Sequence, residues 1–239
     1  MTTAAAFDRG ASRYDLLVGL NPGYHRELRV AAEALVDRVG HHPGLRLIDL
    51  ACGTGASTKA LYRAAPDGTE VLGLDASHGM LEQAGRATWP RTVRFCQAVA
   101  GELDLEALGR ATHHGVMTAY LFRNVPVDGR DTAVAEVYEL LEPGGWLVVQ
   151  EYSVAGNPRA RLVWDAVCRN IIIPLGVLLD GNHDLYHYLW QSVVEFDSVT
   201  QFADRLVAGG FVDVAHRTAT GWQHGILHTF VARKPREKS

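Results

Sequence analysis

Leu45-Arg46-Leu47-Ile48-Asp49-Leu50-Ala51-Cys52-Gly53-Thr54-Gly55, continued as far as Asp75, holds a strand, a tight turn, a helix and a second strand that ends on a carboxylate. Leu45 to Leu50 is a short apolar run suited to a buried strand, and two glycines one residue apart then interrupt it. Glycine lets the backbone turn sharply there and approach a ligand with no Cβ in the way. From Ala56 onward, Thr58, Leu61, Tyr62 and Ala65 fall at helical spacing, so the turn opens a helix whose free N–H groups face outward. Val71 to Leu74 is the next apolar strand, and Asp75 sits at its carboxyl end, where an open parallel sheet places ligands.

The residues around the turn discriminate between cofactors. A dinucleotide fingerprint needs Gly-x-Gly-x-x-Gly, but Thr58 stands at the third glycine position. Asp49, just before the bend, is a poor neighbour for a pyrophosphate and a good one for a cation. S-adenosylmethionine carries positive charge on its sulfonium and amino group, and its ribose offers a vicinal diol for Asp75 to accept from. An isolated Gly-x-Gly is more often a plain turn between packed elements. An acid at the ends of two successive strands favours S-adenosylmethionine over a dinucleotide.

Outward from this unit the same alternation continues. Residues 1 to 24 form a weakly patterned arm, and His25 to Val39 an amphipathic helix with Leu28, Ala31, Ala32, Leu35, Val36 and Val39 on one face. Ser77 to Thr88 is a helix that Ser77 can cap, with Met80 one turn in, where an adenine ring could lie. Strands are expected at Val93 to Ala98, Gly115 to Leu121 and Trp146 to Gln150, with a short helix from Gly101 to Gly109 and a longer one from Asp131 to Leu141. Five alternations imply a doubly wound parallel α/β sheet with right-handed crossovers. Val199 to Ala208 is a further helix, and Phe211 to Thr218 and Ile226 to Ala232 make an antiparallel pair of last strands, seven in all. Residues 157 to 196 differ: an aliphatic run broken by Pro174 and Gly176 precedes Tyr186, Tyr188 and Trp190, which suggests a helical cap over the carboxyl edge of the sheet.

The 239 residues suffice for a single domain over 1–239, comprising the arm and helix of 1–44, the sheet, and the cap. A net charge of −4 makes no case for nucleic acid. Met1 to Phe7 lacks the pattern of a secretion signal, and a cytoplasmic location is expected. Cys52, Cys96 and Cys168 fit neither a disulfide framework nor a zinc site. His183 and His187 lie four apart without an evident third ligand, so no metal is expected.

These motifs resemble the class I methyltransferases that use S-adenosylmethionine, and among them the ubiquinone and menaquinone biosynthesis C-methyltransferases. The likeness runs over nearly the whole chain. Asp49-Leu50-Ala51-Cys52-Gly53-Thr54-Gly55 is similar to that family's cofactor loop, and Leu74-Asp75 with Met80-Leu81 to its ribose and adenine segment. Tyr14-Asp15, Gly23-Tyr24-His25-Arg26, Arg123-Asn124, Glu142-Pro143-Gly144-Gly145 and Glu151-Tyr152-Ser153 match further elements, as do Tyr186-His187-Tyr188-Leu189 with Ser192 and Leu227-His228. The acid or amide that usually meets the adenine amine after strand three is replaced by Val99 beside Ala100. Backbone groups or Glu102 are then expected to hold the adenine.

The resemblance implies a Rossmann-like seven-stranded sheet of the class I methyltransferase type. It implies cofactor contacts from Asp49, Ala51, Gly53, Thr54, Gly55, Asp75, Ala76, Met80, Val99, Ala100 and Ala119. Arg123, Asn124 and Tyr14 would hold an acceptor phenol and its activating water, with Arg123 stabilising a phenolate, since a guanidinium does not deprotonate. His25, Tyr186, Tyr188 and His228 would line the acceptor site. The acceptor is expected to be an apolar, aromatic small molecule methylated on carbon. If it is a prenylated quinol, peripheral contact with a membrane follows; a homodimer stays open. An O- or N-methyltransferase of a soluble metabolite, suggested by the altered segment from Val99 to His114, and a non-catalytic cofactor-binding partner protein are the competing readings.

Overall fold

In the computed structural model, which describes residues 23–181 and 183–236, seven strands form one sheet in the order β3-β2-β1-β4-β5-β7-β6. The strands are β1 (Arg46–Leu50), β2 (Glu70–Asp75), β3 (Val93–Gln97), β4 (His113–Ala119), β5 (Leu141–Tyr152), β6 (Val212–Thr218) and β7 (Leu227–Arg233). The first five are parallel, and only β7 runs against its neighbours β5 and β6. The order reverses between β1 and β4, so the carboxyl ends of these two strands bound a crevice, the place where such sheets bind ligands.

Helices cover both faces. On one side α1 (Tyr24–Val39) and α2 (Ala56–Ala64) bury Leu28, Leu35 and Leu61 with Met117 and Val148 of the sheet. On the other, α5 (Arg130–Leu140) and α9 (Val199–Ala208) bury Val137, Phe202 and Leu206 with Phe211 and Phe230. The apolar stretches Leu47-Ile48 of β1, Val116-Met117 of β4 and Leu147-Val148-Val149 of β5 follow from this double covering. Gly73 of β2 lies so close to β3 that a Cβ there would sit 2.6 Å from the Phe95 ring and 3.1 Å from Cys52 Sγ. Gly73→Ala is therefore expected to lower stability by about 1–3 kcal/mol through overpacking, read as a lower denaturation midpoint at unchanged m-value.

Two helices fall short of their expected bounds for local reasons. α3 (His78–Gly85), capped by the Ser77 side chain accepting from Met80 N, stops three residues short of Thr88, with the indole N–H of Trp89 donating to Ala84 O at 2.8 Å. The helix expected over Gly101 to Gly109 shrinks to α4 (Leu105–Leu108), because Gly101 N and Leu103 N donate instead to the Glu136 carboxylate, at 2.6 and 2.9 Å. In the segment 157–196, α6 (Pro158–Val167) runs through a π turn (Cys168–Ile172) into α7 (Ile173–Asp180), and α8 (His183–Val194) packs back on it. Proline lacks an N–H and crowds the carbonyl four residues earlier; the wider π turn accommodates Pro174 without breaking the helix. Gly176 lets the Tyr186 ring lie directly on α7, since a Cβ there would meet it at 2.4 Å.

Candidate active site

A cavity of about 480 Å³ opens at the carboxyl ends of β1, β2 and β4. Its rim begins with Ala51, a non-glycine residue held at φ 64° as the chain leaves β1, and the turn is fastened by Cys52 N donating to Leu74 O at 2.9 Å. Gly55, at φ 92°, starts α2, and a Cβ on it would come within 2.9 Å of the Trp89 ring. Asp75 ties this loop to the next strand end: its carboxylate accepts from Gly53 N and from Ser77 N, both at 2.8 Å. Ala51, Gly53, Asp75, Ala76, Met80, Val99, Ala100 and Ala119 all line the cavity, so eight positions drawn from four strand ends converge there, as does Glu102.

Thr54, Gly55 and Asp49 are not on the wall. Asp49, expected to face a cation, is sealed beneath the loop with no exposed surface, where its Oδ2 accepts from Ser57 Oγ at 2.7 Å and Thr58 Oγ1 at 2.6 Å. Its Oδ1 is buried without a hydrogen bond. Burial pushes the carboxyl up to about 6; the two hydroxyls pull it down less, and the nearby Asp75 charge adds to the rise. Raised above its unfolded value, this group makes folding less favourable as pH climbs from about 4 to about 6, and the penalty of about 3 kcal/mol is complete above that window. Asp49→Asn is expected to flatten this slope, measured as unfolding free energy at pH 4.5 and 7.5.

The opposite wall is polar. Directly after β4 comes Tyr120, held at φ 63° by its N–H donating to Gln150 O at 2.8 Å and by Asn124 Nδ2 donating to its carbonyl at 2.7 Å. Left-handed non-glycine residues cost of order 1–3 kcal/mol, and both Ala51 and Tyr120 border the cavity, which is where such strain is retained for function. A 3₁₀ turn (Phe122–Asn124) then brings Arg123 and Asn124 to the wall. Arg123 is not a surface charge: it is 8% exposed and bound to Glu151 through Nη1 and Oε1 at 2.6 Å. Its guanidinium lies 5.3 Å from the Tyr120 ring and 5.7 Å from that of Tyr152. These rings belong to a stacked column, Tyr24, Tyr120, Tyr152 and Trp164, with neighbouring centroids 5.8, 5.1 and 5.3 Å apart. The column joins α1 through the sheet to α6.

The helices of 157–196 reach the same wall through Tyr188, whose hydroxyl donates to Asn124 Oδ1 at 3.1 Å. Tyr186 is buried against α7, His25 is exposed beside Tyr24, and neither lines the cavity. His228 is buried on β7 opposite Glu151, away from the cavity wall, and burial above all lowers its pKa, against smaller opposing effects from the Gly225 and Ser153 backbone. Tyr14, expected beside Arg123, lies outside the described residues. Among the described residues no three or more His, Cys, Asp and Glu side chains gather as a metal site, and no helix is long and apolar enough to cross a membrane. Sequence reasoning missed Tyr120, Glu136 and Glu151. Only Glu151 had a signal, the Glu-Tyr-Ser run at the end of β5.

The profile of the ubiE/COQ5 methyltransferase family matches residues 2–234. The ubiquinone/menaquinone biosynthesis C-methyltransferase UbiE of Methylobacterium nodulans is 32% identical over 213 residues, 88% of this chain and 83% of that protein. The protein of that name in Rhizobium etli is 31% identical over 220 residues, 90% of this chain and 83% of its own. Among solved structures, phosphoethanolamine N-methyltransferase 2 of Haemonchus contortus, in complex with S-adenosyl-L-methionine, superposes with a TM-score of 0.71 at 16% identity. That match covers 99% of this chain but only 61% of the other, and it concerns the fold alone.

Proposed function

The chain belongs to the ubiE/COQ5 methyltransferase family, and we propose that it transfers a methyl group from S-adenosylmethionine to a ring carbon of an apolar phenol or hydroquinone. The observation that carries this reading is the two-sided cavity. On one side stand Asp75 and the Gly53 turn, on the other Arg123 and Asn124.

The residues present fit the cofactor. Asp75 has a carboxylate on the wall with its orientation set by two backbone donors, suited to a sugar diol. Met80 and the Val99–Ala100 backbone offer an apolar slot for a purine, held in place from behind by Glu136 through Gly101 N and Leu103 N. Asp49 and Asp75 together make the loop between them favourable to positive charge. S-adenosylmethionine, when bound, supplies an electrophilic methyl group on a sulfonium.

Carbon methylation needs an electron-rich ring, and a phenol becomes one when its hydroxyl loses its proton to water in the cavity. Arg123 N–H groups stabilise the oxygen that is left, and Asn124, clamped between Tyr120 O and the Tyr188 hydroxyl, sets the shape of the wall the ring rests on. Arg123 and Asn124 would hold the ring with its nucleophilic carbon turned towards the methyl that the cofactor would supply, and the ring proton would then leave to solvent. The whole chain acts in this reading as one domain, with 157–196 as its cap and the acceptor held beneath Tyr188. Peripheral membrane contact, for a prenylated acceptor, and pairing of two copies belong to the same reading.

The quinone name on the relatives supports the acceptor class. The test is mass spectrometry of products from a panel of hydroquinones and phenols with S-adenosylmethionine. A new methyl on ring carbon is expected; methylation at oxygen or nitrogen, or none, would overturn it.

A further inference from the structure

We infer that Glu151 is a positioning residue that sets how much of the Arg123 charge reaches the acceptor. The inference rests on the reading above, in which Arg123 stabilises a phenolate.

Glu151 has no exposed surface and stands near the carboxyl end of β5. Its Oε1 accepts from Arg123 Nη1 at 2.6 Å and from Tyr152 N at 3.0 Å, while Oε2 accepts from Arg123 N at 3.3 Å. One carboxylate therefore grips both the side chain and the main chain of the same arginine. With the Tyr120 and Tyr152 rings beside the guanidinium, this holds the arginine in place on the cavity wall. A carboxylate at 2.6 Å also cancels much of the guanidinium's field. What the acceptor oxygen meets is then a set of directed N–H donors more than a bare cation.

Other titratable groups surround the pair. Tyr120 and Tyr152 face the guanidinium from the ends of β4 and β5, and Tyr188 of α8 approaches through Asn124. Asp75 and Glu102 line the same cavity. Behind the turn, Arg130 of α5 donates to Val125 O and pairs with Asp197 at 2.8 Å, so that charge is already balanced. His228 of β7 stands opposite Glu151, and burial favours its neutral form.

The test follows kcat against pH for a hydroquinone acceptor at saturating S-adenosylmethionine, in the parent and in Glu151→Gln and Glu151→Asp. The glutamine keeps an acceptor for Arg123 but loses the negative charge. A less compensated cation makes the bound phenol more acidic, so the acid limb of the profile is expected about one pH unit lower. The aspartate keeps the charge but not the reach; its limb should stay in place while kcat falls about tenfold. A glutamine variant whose limb coincides with the parent's overturns the inference. Should the glutamine variant not fold, an aspartate variant with kcat within twofold of the parent overturns it equally. A parent enzyme that methylates no hydroquinone at any pH removes the function reading itself and this inference with it; an active parent with unmoved limbs removes the inference alone.

Discussion

Asp75→Ala is expected to weaken S-adenosylmethionine binding about a hundredfold, about 2.7 kcal/mol, in isothermal titration. A charge-assisted hydrogen bond to a sugar hydroxyl accounts for roughly the first tenfold. The remainder comes from the loop. The Asp75 carboxylate holds Gly53 N and Ser77 N at 2.8 Å each, and without it the turn after β1 and the start of α3 lose their common anchor. Asp75→Asn separates the two contributions. Its amide oxygen can serve one backbone donor but not both, and a loss of about tenfold is expected. An alanine variant that binds within threefold of the parent would remove Asp75 from the cofactor site.

Arg123→Met should lower kcat/KM about a thousandfold and also destabilise the protein by about 3–5 kcal/mol, because Glu151 would be left buried and unpaired. The two effects can be pulled apart. Replacing both partners by methionine removes the uncompensated charge, and buried ion pairs exchanged for apolar side chains of similar volume are often neutral in stability. The double variant is thus expected to regain the denaturation midpoint while staying inactive. Recovery of activity along with stability would show that Arg123 serves only the fold.

The chain's local signals carried far. Alternating apolar runs, the Gly53–Gly55 turn and Asp75 at a strand end were readable because each depends on residues within one or two turns of one another. Glu136 was not. It sits just past the middle of a helix and resembles any partly polar position there, yet its carboxylate organises a loop 33 to 35 residues earlier. Asp49 was located correctly on its strand, but whether it faced the cavity or the interior turned on how α2 packs against β1, and Ser57 and Thr58 draw it inward.

By itself, then, the order of residues determined an α/β sheet with seven strands, five parallel and the last two an antiparallel pair, and a glycine turn with an acid at each of two strand ends, since helical and strand periodicities and turn chemistry act over short range. Tertiary structure alone decided that Arg123 meets Glu151 28 residues away, that Tyr188 meets Asn124 64 residues away, and that Tyr24, Tyr120, Tyr152 and Trp164 form one column. Those contacts exist because β4 and β5 lie side by side in the sheet and the segment after β5 folds back over their ends. No spacing along the chain encodes that proximity; it follows from strand order and from the direction each side chain takes once the sheet has closed.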